Sequence, residues 1–576
     1  MTEPARAAVD YTSCAGSFRG HRNPAFTISM TTTTSSSSPP LIRREHLLYL
    51  AAAVFFLLVA AALVVDPLRV NYDVAVAISI ARLLLKGATP YVDYVNLNPP
   101  LIHYLHVVPA WVAERLAIHP IITFSWLVMG LTAWTLIAVR RLCRSLENRQ
   151  TAMLIEAVVV LNTALISWKL SVNNALGQRE HLFVLLFLPY LLLRWLRLHQ
   201  HQDVGRNFAI VIGILAAIGI CLKPHFVLIW IAAEAFLVLQ MGSLRKSVTA
   251  ELPTLMVVGL AYAAHFLVLP VAIRSGIRDM LQLLSSGGYR VYGDYSPFEI
   301  FTSDLKIITL ALAPFVLVRD HRGELGSLLR LSGVLVLASL AEVALQARGF
   351  FYHGIPVWTW MYLIVLLATF GYGIPVRFIP SLGRIRGKLT NAVRQGLTAV
   401  AYVLILGSFL GWSDIFPRTT ILAPSQPDSI TLAIAENSQE DDTVHVLSTG
   451  TGLFRSVLQA DRLVGSKYFP DFPIAFSLAG VDDGLSLYDD PAALPDTLGA
   501  RLSAIEQEIL RAQPDLIVVD GTRPCSGCPA GLDLVSLLSR TGFTERVILA
   551  RYSRIGVYDG DELYRLIAAG ESIPSG

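Results

Sequence analysis

Long apolar runs separated by short basic loops dominate the chain from about residue 47 to residue 415. A helix needs roughly 17–25 apolar residues to cross a bilayer core. The pattern predicts about eleven spans, near 47–65, 121–142, 151–168, 181–198, 207–222, 225–241, 252–273, 303–319, 329–347, 356–374 and 396–415. The segment between the first two, 66–120, reads differently. It runs Asp66-Pro-Leu-Arg-Val-Asn-Tyr-Asp73, then an apolar helical stretch to Lys86-Gly87, then Thr89-Pro-Tyr-Val-Asp93-Tyr-Val-Asn-Leu-Asn98-Pro-Pro. Gly87 is a natural helix stop, and Pro99-Pro100 can start a new helix in its first turn. Two short helices at the membrane surface fit this loop better than another crossing.

Charge sets the orientation. Arg43-Arg44 precede the first span, which puts the N-terminus in the cytoplasm by the positive-inside rule. Alternation then brings every strongly basic loop to the same side: Arg140-Arg141 with Arg144, Arg194 with Arg197, Arg245-Lys246, Arg319 with Arg322, and Arg377 through Lys388. The remaining polar clusters all emerge on the opposite, external side. They are Asn71-Tyr72-Asp73, Pro90-Tyr91-Val92-Asp93, Gly177-Gln178-Arg179-Glu180-His181, Lys223-Pro224-His225 and Tyr352-His353. Carboxylate, imidazole and cationic groups gathered at one face of an apolar wall are what a membrane-embedded active site needs. Glu156, Glu234, His265 and Glu342 fall inside spans and read as polar contacts between helices.

Two flanking regions are not spans. Residues 1–40 carry the run Thr31-Thr-Thr-Thr-Ser-Ser-Ser-Ser-Pro-Pro and are expected to be a disordered cytoplasmic tail. They lack the short apolar region of a signal peptide, and Met30 is an alternative start. The tail 417–576 falls on the external side and alternates short apolar strands with helical patterns. Strands are predicted at Val444–Leu447, Asp515–Val519 and Arg546–Leu549, with helices at Leu502–Arg511 and Leu532–Arg540, so the tail reads as a small α/β domain. No Gly-rich phosphate loop follows a strand there, which argues against nucleotide binding. Cys525 and Cys528 read as a local disulfide in an oxidising compartment, with a redox-active pair as the alternative.

Composition agrees with this division. Hydrophobic residues make up 54% of the chain and charged residues 15%, against about 25% charged in soluble domains, and the mean hydropathy is +0.55. Membrane lipids are therefore its main solvent. A net charge of +3 is too small to point to a nucleic-acid partner.

Asp73 opens the first surface helix. Local sequence leaves it as either a cap, favoured there by the helix dipole, or a catalytic group. An acidic residue just after the first span, a surface helix, a Gly, then Pro-Tyr-x-Asp and Pro-Pro-Leu resembles the integral-membrane glycosyltransferases of the C superfamily, among them the protein mannosyltransferases and the aminoarabinose transferases of lipid A. The resemblance covers roughly 45–420, and soluble tails also occur in that superfamily. It implies transfer of a sugar from a polyprenyl-phosphate donor to a glycan, lipid or protein acceptor of the cell envelope, on the external face of a bacterial inner membrane. By resemblance Asp73 is the general base, and displacement from the opposite face inverts the anomeric centre.

The donor phosphate then needs cations. Arg179, Lys223 and His225 are the first candidates, Arg for its bidentate fork and Lys for its compact charge. Arg348 and His353 are further ones. Glu180 and His181 could orient the acceptor or support Asp73, and Asp93 and Asn98 complete the substrate-binding set. Lys223 could instead snorkel, and Arg179-Glu180 could be a local ion pair. The loop Gly288–Tyr295 reads as an acceptor gate. Asn-Tyr-Asp stands where many members of that superfamily carry Asp-Glu or Asp-x-Asp, so metal and cofactor are left unassigned, with a divalent cation the one candidate. The alternatives are a transporter or flippase and a non-catalytic envelope-assembly protein.

Overall fold

The computed structural model describes residues 44–199, 204–285, 323–371, 426–478, 495–521 and 533–567, with Tyr292, Ser296, Phe298 and Glu299 between them. The predicted spans 303–319 and 396–415, the tail 1–40, most of the Gly288–Tyr295 loop and the Cys525–Cys528 pair lie outside the described residues.

Among the described residues seven helical runs are long and apolar enough to cross a membrane. They are α1 (Arg44–Val65), α4 (Pro120–Cys143), α5 (Arg149–Val172), α6 (Arg179–Leu198), α10 (Glu251–Val268), α12 (Gly323–Gln346) and the continuous run Phe351–Gly371, whose regular part is α13 (Ile355–Leu366). Two shorter apolar helices, α7 (Arg206–Cys221) and α8 (Phe226–Met241), lie among them, with the short turn α9 (Leu244–Ser247) after α8. The chain is a polytopic α-helical membrane protein. Helix α6 forms its centre: it is buried almost throughout, and Phe183 and Phe187 stack on each other at 5.0 Å. A helix apolar on all sides is stable only when enclosed by other helices or lipid.

The predicted span 252–273 is shorter than expected. Leu269 is extended (φ −60°, ψ 148°) because Pro270 disfavours helix in the residue before it. The chain resumes as α11 (Val271–Ser285), whose Arg274, Arg278 and Asp279 make it amphipathic rather than spanning. Its apolar residues Ile273, Ile277 and Met280 join Tyr91, Val95 and Phe472 in one cluster. Gly276 permits that contact, since a Cβ there would lie 2.2 Å from the Tyr91 carbonyl oxygen.

The segment 66–120 folds into the two short helices its sequence predicts, α2 (Tyr72–Leu85) and α3 (Leu101–Leu116), with Gly87 at φ +90° just beyond α2. Near the C-terminus, β1 (Thr443–Leu447), β2 (Leu463–Val464), β3 (Leu516–Val519), β4 (Tyr552–Tyr558) and β5 (Asp561–Leu566) form one sheet in the order β2-β1-β3-β5-β4. The first three are parallel and the last two antiparallel. The strand predicted at Arg546–Leu549 is instead a π-helical turn, Thr544–Ile548. Val547 and Ile548 are buried there all the same, and a short apolar run does not distinguish a buried strand from a buried helical turn. The edge is taken by the β4–β5 hairpin, turning at Asp559-Gly560 with both residues at positive φ, the backbone that an Asp-Gly hairpin turn requires.

The sheet region does not stand apart from the 66–120 segment. Val76, Ile80 and Tyr94 share a hydrophobic core with Ile430, Val444, Leu453, Phe454 and Leu516. Val95 pairs with the segment Lys467–Phe469: its amide donates to the Lys467 carbonyl at 2.6 Å, and its carbonyl accepts from the Phe469 amide at 3.1 Å. Arg82 reaches Asp461 at 3.0 Å.

Candidate active site

Asn71 is the N-cap of α2, its side-chain oxygen accepting from the Asp73 amide at 2.9 Å. The capping task therefore falls to Asn71, and the Asp73 carboxylate is left to accept a hydrogen bond from the Tyr352 hydroxyl. Gln178, immediately before α6, donates to the same Asn71 oxygen. Arg179, the first residue of α6, donates through Nη1 to the Asn98 side-chain oxygen. The starts of α2, α6 and the run beginning at Phe351 thus meet beside the 96–98 segment.

They enclose a cavity of about 340 Å³, within the size range of small-molecule sites. The segment between α1 and α4 supplies Asn71, Tyr72, Asp73, Val76, Asn96, Leu97 and Asn98, α6 supplies Arg179, and the start of the Phe351–Gly371 run supplies Tyr352, with Phe350 just before it. Tyr292 comes from the segment after α11, and Gly450, Thr451, Phe469 and Pro470 come from the sheet region. Of these described lining residues only Asp73 is acidic and only Arg179 is basic. One carboxylate, one guanidinium and several aromatic faces make a site that can hold an anion beside a proton acceptor.

Behind Arg179 lies a second, more deeply buried polar group. The Lys223 ammonium donates to Glu180 Oε1 at 2.8 Å and to Gln346, and Gln346 in turn donates to Glu342. His353 Nε2 lies 4.0 Å from the same Glu180 oxygen. Burial pushes the Lys223 pKa below its ordinary value, an effect the Glu180 carboxylate partly opposes. Taking one partner from a buried ion pair typically costs about 3–5 kcal/mol, so Glu180 and Lys223 hold each other in place.

Asp73, Asn98 and Arg179 therefore meet at the cavity. Glu180, Lys223, His225, Arg348 and His353 gather beside it, Arg348 being close enough to act electrostatically on His353. None of those five lines the described wall. His181 accepts from the Gly177 amide at 3.1 Å and holds the turn before α6. Asp93 is exposed, accepts from the Thr89 amide at 2.7 Å and is not among the described lining residues. Tyr292, the described residue of the predicted gate, reaches the wall and donates to the Thr449 carbonyl at 2.9 Å. Among the described residues no three His, Cys, Asp or Glu side chains converge as metal ligands.

Sequence reasoning missed Asn71 as the cap, Asn96, the hydroxyl of Tyr352 and the wall from 450–451 and 469–470. Asn-Tyr-Asp at a helix start carried a capping signal. The wall residues carried none, because their neighbours in space lie hundreds of positions away in the chain.

The chain shares its fold with ArnT, whose structure has been solved. Among solved structures, the crystal structure of ArnT from Cupriavidus metallidurans bound to undecaprenyl phosphate is similar over 92% of this chain and 100% of that one, with a TM-score of 0.53 at 12% identity. The archaeal oligosaccharyltransferase AglB from Archaeoglobus fulgidus, in complex with an inhibitory peptide and a dolichol-phosphate, aligns over 82% of this chain and 69% of that one at 10% identity, with a TM-score of 0.43, too low to establish a shared fold. No protein-family model matches the chain, and no curated protein matches it.

Proposed function

We propose that the protein transfers a sugar from a polyprenyl-phosphate-linked donor to a hydroxyl of a cell-envelope glycan, lipid or protein, with inversion, on the external face of a bacterial inner membrane. In this reading the N-terminus is cytoplasmic, residues 41–416 form the membrane domain, and 417–576 form an external α/β domain. The observation that carries the reading is that Asp73 and Arg179 line one cavity, each held by a polar partner, at the end of a helical bundle with this fold. The likeness to ArnT bound to undecaprenyl phosphate supports a lipid-phosphate donor.

Asp73 accepts the proton of the acceptor hydroxyl as its oxygen bonds to the anomeric carbon. The bond from that carbon to the phosphate oxygen breaks, and the lipid phosphate leaves with the electron pair. A phosphate needs no protonation to depart, so one carboxylate suffices where a glycosidase needs two. Arg179 stabilises the departing phosphate through its guanidinium fork. Tyr352 holds the carboxylate in the orientation for proton transfer.

The test is a transfer assay in membranes with radiolabelled polyprenyl-phosphate sugars, comparing wild type with Asp73→Asn at matched expression. Loss of a general base lowers the rate by about 10²–10⁴-fold, with donor binding retained. Equal transfer by both proteins removes Asp73 from catalysis. Uptake or flipping of a lipid-linked sugar without transfer favours the transporter reading.

A further inference from the structure

Asn96 is almost fully buried, 4% exposed, and both halves of its amide are in use. Its Nδ2 donates to the Phe469 carbonyl at 2.6 Å, and its Oδ1 accepts from the Asn98 amide at 2.9 Å. These partners fix which end is nitrogen, since a carbonyl needs a donor and an amide an acceptor. The Asn98 side-chain oxygen then accepts from Arg179. Phe469 is itself fixed: its amide donates to Val95 at 3.1 Å. Asp471, two residues on, is gripped by Arg501 at 2.5 Å and donates its own amide to the Ser448 carbonyl at 2.9 Å. A continuous run of hydrogen bonds therefore leads from the α/β region through Asn96 and Asn98 to the one basic residue on the described cavity wall.

We propose that Asn96 is a positioning residue: it ties the orientation of the Arg179 guanidinium to the docked α/β region and so sets affinity for the donor phosphate. The inference rests on the donor reading above. A guanidinium held in place before the ligand arrives loses less freedom on binding than one that must be ordered by it. Asn is the side chain that supplies a donor and an acceptor at this reach. Ser keeps an acceptor for the Asn98 amide in a local turn but is too short to reach Phe469, and Ala keeps neither bond.

The experiment measures binding of undecaprenyl phosphate to the full-length protein in lipid nanodiscs, for wild type, Asn96→Ala, Asn96→Ser, Arg179→Ala and the double variant Asn96→Ala/Arg179→Ala. Asn96→Ala and Asn96→Ser are each expected to weaken binding about tenfold, the order of one hydrogen bond. Adding Asn96→Ala to Arg179→Ala is expected to change nothing further. Hydrogen exchange at the Asn98 amide should rise in Asn96→Ala and stay low in Asn96→Ser, which answers for folding as well. Wild-type affinity in both Asn96 variants, with Arg179→Ala weakened, overturns the positioning role and leaves the donor site standing. So does a further tenfold loss in the double variant, because Asn96 would then act without Arg179. Wild-type affinity in Asn96→Ser alone removes the tie to the α/β region. Wild-type affinity in Arg179→Ala overturns the donor reading and this inference with it.

Discussion

At the scale of single residues, the contest over Asp73 turns on one hydrogen bond. Were Asp73 the cap, its carboxylate would be spent on backbone amides; with Asn71 accepting from the Asp73 amide at 2.9 Å, it faces Tyr352 instead. Tyr352→Phe keeps the ring and deletes that contact. A hydrogen bond to a charged group is worth about 1.5–3 kcal/mol, so kcat should fall roughly 10- to 100-fold while donor affinity stays near wild type. A parallel fall in donor affinity would show that Tyr352 acts on the lipid phosphate rather than on Asp73. That Asp73, Arg179 and Asn98 come together at one cavity was legible because charge and amide groups beside apolar spans are costly to place there idly. The Asp93 carboxylate closes the Thr89 turn, a local contact that its motif position did not reveal. The hydroxyl of Tyr352 and the amide of Asn96 were not legible, for each acts on a partner more than 250 positions away in the chain.

At the scale of elements, boundaries followed the chain's own chemistry wherever that chemistry was local. Gly87 ended α2 and Pro100 preceded α3 as expected, whereas Pro270 cut a span that its apolar residues alone would have extended. The π-helical turn at Thr544–Ile548 shows the limit, since its burial pattern served a strand equally well. Strand β1 carries a feature that burial makes testable. His445 is 1% exposed, and burial, together with the Arg501 charge, pushes its pKa down to about 3. The unfolded chain, with an ordinary histidine near 6.5, takes up the proton first as pH falls. His445 therefore destabilises the fold progressively from about pH 6.5 downward, by about 1.4 kcal/mol per pH unit until its folded pKa is reached. Hydrogen exchange of 443–447 in the full-length protein should quicken between pH 7 and pH 5 in wild type and do so much less in His445→Leu. An equal response in both would place the acid-sensitive group elsewhere.

At the scale of the whole molecule, the alternation of strands and helices after 417 reads as a domain of its own, yet its core is completed by Val76, Ile80 and Tyr94 of the 66–120 segment. Two kinds of contact join them, and their magnitudes differ. Arg82 and Asp461 are 3.0 Å apart, but the Asp461 side chain is 40% exposed, and exposed ion pairs are worth about 0.2–1 kcal/mol. Tyr94 is fully buried, edge-on to Phe469 at 6.4 Å and to His103 at 5.9 Å. Truncating a buried aromatic side chain of this size costs about 3–5 kcal/mol. Apolar burial, not the ion pair, should therefore decide whether the two parts stay together. With a protease site introduced between 417 and 425 and the chain cut there, the C-terminal fragment should still co-purify with the membrane part. Asp461→Ala should leave that association intact, while Tyr94→Ala should release the fragment and abolish transfer with it, since Gly450, Thr451, Phe469 and Pro470 leave the cavity wall together. Release by Asp461→Ala with retention by Tyr94→Ala would reverse the order of the two contributions. It would make the junction an electrostatic one, sensitive to salt, rather than an extension of the hydrophobic core.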